Sequence, residues 1–104
     1  MLFAAKIFVK NLGRASGWSK LRREFLAEHP TCAACGTRKK LEVHHVESVS
    51  QAPDKELEKG NLLTLCEGSM KCHFVWGHLG SWRSINITAR DDVAEFRRKV
   101  EERP

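Results

Sequence analysis

Four cysteines in two local pairs, Cys32-Ala33-Ala34-Cys35 and Cys66 with Cys72, constrain this chain more than any other feature. At 104 residues a hydrophobic core is small, and a staple between distant segments helps decide whether the chain folds. Cys-x-x-Cys-Gly is a metal-knuckle type of turn, and two cysteine pairs can close on one tetrahedral ion. Two disulfides are the alternative, and they suit secreted proteins. The apolar start Met1 to Val9 is interrupted by Lys6 and followed by Lys10, unlike a secretory signal, and no 18-residue apolar run exists. A structural Zn²⁺ held by Cys32, Cys35, Cys66 and Cys72, in a cytoplasmic protein without membrane association, is therefore expected. No βαβ pattern surrounds the first pair, which disfavours a redox site.

Between and beyond the cysteines, Leu41 to His78 holds four of the five histidines. Leu41-Glu42-Val43-His44-His45-Val46 reads as a strand, with Leu41, Val43 and His45 on one face and Glu42, His44 and Val46 on the other. His44 and His45 therefore cannot do the same job: one could ligate a metal while the other faces a substrate. His73 follows a cysteine, and Phe74, Val75 and Trp76 could start a short helix that returns an imidazole towards the strand.

The ordered set His44-His45, Asn61 and His73 resembles the HNH nucleases, whose ββα-metal motif has a His, a central Asn and a final His. Asn61-Leu62-Leu63-Thr64-Leu65-Cys66, with Cys72-His73 following, is similar to the run in HNH members that carry a zinc knuckle. The stretch from Cys72 to Gly80 looks like small phage-type HNH proteins, and the resemblance spans roughly Trp18 to Trp82. One departure is the spacer Glu67-Gly68-Ser69-Met70-Lys71, where two residues are commoner. Gly68 and Ser69 are the turn residues expected to close it. The lengthened Asn61 to His73 offset bears on the angle of His73.

The resemblance implies an α+β fold: a small ββα-metal (His-Me finger) core at about 41–79, with flanking helices and the four-cysteine zinc site, in one domain over 1–104. It implies His45 as general base, a role that an unperturbed imidazole pKa near 6.5 suits. Asn61 would pin the loop between the strands and orient that base. His44 and His73 would hold one divalent ion (Mn²⁺, Mg²⁺, Ni²⁺ or Zn²⁺), imidazole favouring the softer ions over Mg²⁺. His78, five residues after His73, would sit about 140° away on a regular helix. A bend at Gly77 would return it as a third metal ligand or phosphate contact; otherwise it is a packed histidine. His29, before Pro30 at a helix end, is left out of the site.

The formal charge of +5 is unevenly spread. Residues 1 to 40 hold nine Lys or Arg against two Glu, residues 41 to 69 two against six acids, and the remainder seven against five. A basic first third beside a hydrolytic centre suits a polyanion lying across both. DNA is the expected partner, met by Arg22, Arg23, Lys39 and Lys40, although charge alone fits RNA equally. Apolar spacing predicts a helix from about Ser16 to Glu28, with Trp18, Leu21, Phe25 and Leu26 on one stripe and Pro30 ending it. A last helix runs to about Glu102, with Val93, Phe96 and Val100 inward and a capping box from Thr88 to Asp91. Residues 1 to 15 read as a packed arm, strand or helix, and Asn11, Gly13 and Gly17 as a turn. Ser48 to Gly60 reads as a surface loop without chemistry. Activity as a monomer or weak dimer, nicking one strand at a time, is expected. A non-catalytic zinc-knuckle DNA-binding module is the alternative, but it has no use for the ordered histidines; a disulfide-stapled secreted interaction domain is disfavoured by the start and the charge.

Overall fold

The structure, a computed structural model, describes residues 15–104. The arm expected at the start therefore lies, except for Ala15, outside the described residues, as do Asn11 and Gly13.

Helix α1, Trp18–Glu28, opens from Gly17, whose φ of 92° is a left-handed conformation that glycine adopts without strain. It starts two residues later than Ser16 and has no side-chain cap. The apolar stripe behaves as its spacing requires. Trp18 and Phe25 are buried with Val43 and Leu62, and Leu21 and Leu26 pack on that cluster. After Pro30 the chain enters the first cysteine turn, where Gly36 N–H bonds the Cys32 carbonyl and Cys32 N–H bonds that of Thr37.

Strands β1, Leu41–His45, and β2, Leu62–Cys66, form an antiparallel pair in which Leu41 meets Cys66 and His45 meets Leu62. Alternation sends Val43 and His45 towards α1 and His44 to the opposite face, as the sequence pattern predicts. Three bonds tie β2 and its end to neighbouring segments: Thr64 Oγ1 donates to the His29 carbonyl, Ala33 N–H to the Thr64 carbonyl, and Glu67 N–H to the Lys40 carbonyl.

The segment between the strands is more ordered than a plain surface loop. It contains short 3₁₀ turns at Pro53–Lys55 and Lys59–Asn61, and it buries Glu56, whose Oε2 accepts the Ala15 N–H. After β2 the five-residue spacer closes through Lys71, at φ 50°, with its N–H on the Gly68 carbonyl. The positive φ thus falls on a lysine and not on the glycine expected to make the turn.

The expected short helix is a π-helical turn, His73–Gly77, followed by α2, Ala89–Glu102. Val93 and Ala89 of α2 are buried with Val46, Leu63, Leu65 and the cysteines, while Phe96 meets Trp76 ring to ring at 5.2 Å. The capping box at Thr88 does not form. Its hydroxyl lies within hydrogen-bond distance of Asn86 Oδ1 and Asp92 Oδ2, because the buried Asn86 occupies the helix entry. Among the described residues no helix is long and apolar enough to cross a membrane.

Leu62 is fully buried where α1 meets the sheet. Leu62→Ala is expected to lower unfolding free energy by about 2–5 kcal/mol in urea titrations of the metal-loaded chain. Leu57→Ala, at an exposed position, should change it by no more than about 0.5 kcal/mol. Equal losses for the two would contradict this placement of the core.

Candidate metal centres

The hairpin brings both cysteine pairs to one place. Cys32 and Cys35 come from the turn after α1, Cys66 ends β2, and Cys72 enters the π turn. All four are free thiols, and their Sγ atoms lie within 4.8 Å of one another. The Cys35 to Cys66 sulfur distance is 3.7 Å, far beyond a disulfide bond of about 2.05 Å. It matches the edge, about 3.8 Å, of a tetrahedron built on Zn–S bonds of about 2.3 Å.

The thiols are unequal. Burial works to raise Cys66, but the amides of Cys72 and Gly68 and the neighbouring thiols outweigh it and bring the group down to about 7. Burial pushes Cys72 well above the usual thiol range, reinforced by Cys32 beside it, and burial also raises Cys35. Such a cluster favours one thiolate on its own, and only a cation stabilises the rest. The donor set fits a four-coordinate, closed metal site.

Farther along the hairpin, His44, His73 and His78 form the second cluster, with one nitrogen of each within 4.8 Å of the others. Their ring centroids are 4.9, 5.0 and 4.9 Å apart, close to an equilateral triangle. The π turn accounts for His78. Hydrogen bonding from i to i+5 widens the turn, so residues five apart come nearer to the same face than they do on an α-helix. No bend at Gly77 is required. What Gly77 supplies is space: a Cβ there would stand 2.9 Å from His44 Cε1 and 3.0 Å from its Nε2.

Hydrogen bonds orient the rings. His73 Nδ1 lies 2.9 Å from Glu67 Oε2, and His78 Nδ1 lies 2.8 Å from the Ser84 carbonyl oxygen. A carbonyl oxygen only accepts, and so does an ionised carboxylate; each Nδ1 therefore carries the proton and each neutral ring keeps its lone pair on Nε2. His73 Nε2 is 3.1 Å from His44 Nδ1. His44 Nε2 is buried without a hydrogen-bond partner. Burial, then the charges of His73, His78 and His45, hold the His44 pKa down at about 3, so this ring is neutral, the form that binds metal. Three converging imidazoles, two of them oriented by outer acceptors, fit a divalent ion and leave coordination positions for other ligands.

His45 points to the opposite face of β1 but lines the same open cleft, of about 270 Å³, as His44, His73 and His78. Its ring packs on Trp18 at 4.7 Å, and its Nε2 is 3.0 Å from the Glu56 carbonyl oxygen. Nε2 is thus the protonated nitrogen, and the neutral ring carries its lone pair on Nδ1. Asn61 is buried and bonds the chain just beyond β1. Its Oδ1 accepts the Glu47 N–H, and its Nδ2 donates to the carbonyls of Glu47 and Lys55. The loop read as lacking chemistry therefore supplies, through its backbone, the acceptor that fixes the His45 tautomer.

Of the basic residues expected at a phosphate, Arg22 is engaged with Glu42 at 3.5 Å. Arg23, Lys39 and Lys40 are exposed and form no ion pair among the described residues. Sequence reasoning missed Glu67, Ser84 and Asn86. Glu67 had a signal, an acid six positions before His73; Ser84 acts through a carbonyl that every residue carries, and Asn86 is a lone polar residue in a loop.

Residues 32–73 match the family model described as HNH endonuclease. The match runs from the first cysteine to the second histidine of the trio, in agreement with the resemblance drawn from His44, His45, Asn61 and His73. HNH endonucleases act on DNA with divalent metals, so the matched segment points to nuclease-type, metal-using chemistry. His78 and α1 lie outside it. No curated protein and no solved structure matches the chain.

Glu67→Gln keeps the shape of the carboxylate but weakens its hold on His73 Nδ1. It should lower divalent-ion affinity at the histidine trio about 10–100-fold by calorimetry, with cysteine-bound metal unchanged. Gly77→Ala should lower it further, because His44 must shift. Unaltered affinity in both variants would show that neither contact shapes the trio.

Proposed function

We propose that the chain is a metal-dependent HNH endonuclease that hydrolyses DNA phosphodiester bonds. The observation that carries this reading is the three-imidazole cluster with His45 beside it in one cleft. His44, His73 and His78 would hold the catalytic ion, with Mn²⁺ serving at least as well as Mg²⁺ because all three protein donors are imidazole. When bound, that ion supplies positive charge beside the phosphoryl and leaving oxygens. His45 Nδ1 takes the proton of the attacking water as the P–O bond to the leaving group breaks. Trp18 and the Glu56 carbonyl keep that ring in one orientation and one tautomer. Asn61 acts on the base at one remove, by holding the backbone at Glu47 and Lys55.

Cys32, Cys35, Cys66 and Cys72 would hold a structural Zn²⁺, in keeping with a reducing cytoplasm. Arg23, Lys39 and Lys40 would contact phosphates; Arg22 joins them by exchanging its exposed pair with Glu42, since such pairs are worth about 1 kcal/mol or less. We read residues 1–104 as one domain with one centre, so that a monomer nicks a single strand per encounter.

Supercoiled plasmid incubated with the chain and Mn²⁺ should be nicked, and chelator should abolish the reaction. His45→Ala is expected to slow nicking about 10²–10⁴-fold while metal affinity at the trio stays within about threefold. His73→Ala and His78→Ala should lose the ion itself, read by calorimetry. Nicking at the unaltered rate by His45→Ala would remove the general-base role; absence of nicking with every divalent ion would remove the nuclease reading. Metal analysis of the purified chain should find one Zn²⁺ that survives mild chelation and is released, with loss of the fold, by a thiol-modifying mercurial.

A further inference from the structure

Trp82 stands at the edge of the histidine trio and is 58% exposed, whereas Trp18 is 9% exposed. It is nevertheless held. Its ring centroid lies 4.9 Å from His78, 5.3 Å from His73 and 4.9 Å from Phe74, with interplanar angles of 57°, 71° and 52°. None of these contacts is parallel, so none of these rings stacks face to face on the indole. The loop that carries it is closed at both ends on one residue: Ser81 N–H bonds the His78 carbonyl, and His78 Nδ1 bonds the Ser84 carbonyl. Trp82 sits between those two ties, so its place relative to the trio is fixed by one of the trio's own rings.

The surroundings select the occupant. Trp82 and Phe74 line a hollow of about 220 Å³ with Lys71 and Glu67. Lys71 and the adjoining Arg83 are exposed and form no ion pair among the described residues, while Glu67 is turned onto His73. An indole with the unpaired Lys71 lining the same hollow matches a flat aromatic group that carries negative charge, which is a nucleotide. Bases inside a duplex have both faces covered by their neighbours. A base can meet this ring only where it is unpaired.

We infer that Trp82 is a stacking platform for an unpaired nucleobase next to the phosphate at the histidine trio. The preferred substrate is then DNA with a single-stranded, gapped or otherwise unstacked nucleotide at the cut, and intact duplex is the poorer one. This rests on the nuclease reading for the position of the cut, but the stacking itself is measured without cleavage.

The test uses the full chain with both metal sites loaded, in a His45→Ala background that keeps the DNA intact. A single-stranded oligothymidylate and a blunt duplex of equal length are titrated while tryptophan emission and the anisotropy of labelled DNA are recorded. Single strand should quench the emission; Trp82→Phe should abolish the quench yet bind within about threefold. Trp82→Ala should bind single strand about 5- to 150-fold more weakly, the range expected for one stacked base, and duplex almost unchanged. An unquenched parent, equal losses on both DNAs, or no loss in Trp82→Ala would overturn the inference. So would a concentration-dependent dimer that buries Trp82 and is lost in Trp82→Ala, since the occupant is then a second copy. The nuclease reading fails separately, through the plasmid assay on the unaltered chain.

Discussion

An imidazole packed against a glycine backbone sets how closely the last element of the motif can approach the sheet. His44 projects from β1 onto Gly77, and even one methyl group between them would push the π turn away. Several arrangements depend on that approach. It buries His44 enough to keep it neutral, and it brings His73 and His78 within ligand distance of it. The wider π turn gives up regular hydrogen bonds, and side chains and loops replace them. Asn86 donates its side-chain N–H to the Trp76 carbonyl and its backbone N–H to that of Gly77, while Gly80 N–H reaches the Phe74 carbonyl. Asn86 also bonds Asp92 at the start of α2, so the helix and the site are held by one buried amide. π-helical turns are rare and concentrate at functional sites, and here the extra residue per turn is what places two histidines together.

The two candidate centres are built from one hairpin yet differ in kind. At the Leu41–Cys66 end, four sulfurs supply a complete tetrahedral donor set, packed among Leu65, Val93 and Ala89. Beyond the middle of β1, three imidazoles converge from one side and open into a cleft. Four protein donors could hold one ion and so join the turn after α1 to the segment before the π turn. Three donors and an open side make a place where substrate can displace water. On the proposed reading, the chain would give its most polarisable ligands to cohesion and its imidazole nitrogens to chemistry. The apolar core is split in the same way, with Trp18, Phe25, Val43 and Leu62 on the His45 side and the larger cluster around the cysteines.

How far the sequence discloses this depends on the range of the interaction involved. Period-two alternation in Leu41 to Val46 places His44 and His45 on opposite faces, because burial on both sides of β1 enforces it. The stripe of α1 and the pairing of the cysteines are legible for similar reasons, local spacing and a donor type with few other uses. The π turn is not legible. Its register is set by the contacts of Gly77 with His44 and Asn86, distant partners that local spacing does not encode, so regular helical geometry alone could offer His78 as a third ligand only through a bend at Gly77. Lys71 was missed for a related reason, since its left-handed backbone is imposed by closing the cysteine site and not by lysine's own preference. The tautomer of His45 depends on a backbone carbonyl, and a carbonyl leaves no mark in a sequence.

Charge follows the same logic of distant partners. The acidic middle of the chain does not confront a polyanion as the raw count suggests, because some of its carboxylates are already matched, Glu42 by Arg22 and Glu47 by Lys55, while Glu67 is hydrogen-bonded to His73. Lys59 is engaged in turn by Glu28, and Arg97 and Arg98 by acids of their own helix. What remains unmatched among the described residues includes Arg23, Lys39, Lys40, Lys71 and Arg83. Lys39 and Lys40 stand beside Cys35 and Cys66, while Lys71 lines the hollow under Trp82. Exposed pairs add little to stability, so a phosphate can replace a carboxylate in them with little loss. On the proposed reading, the positive potential offered to a nucleic acid would be set less by the basic helix than by the cysteine turn and the rim of the cleft, where the unmatched Lys39, Lys40 and Lys71 stand.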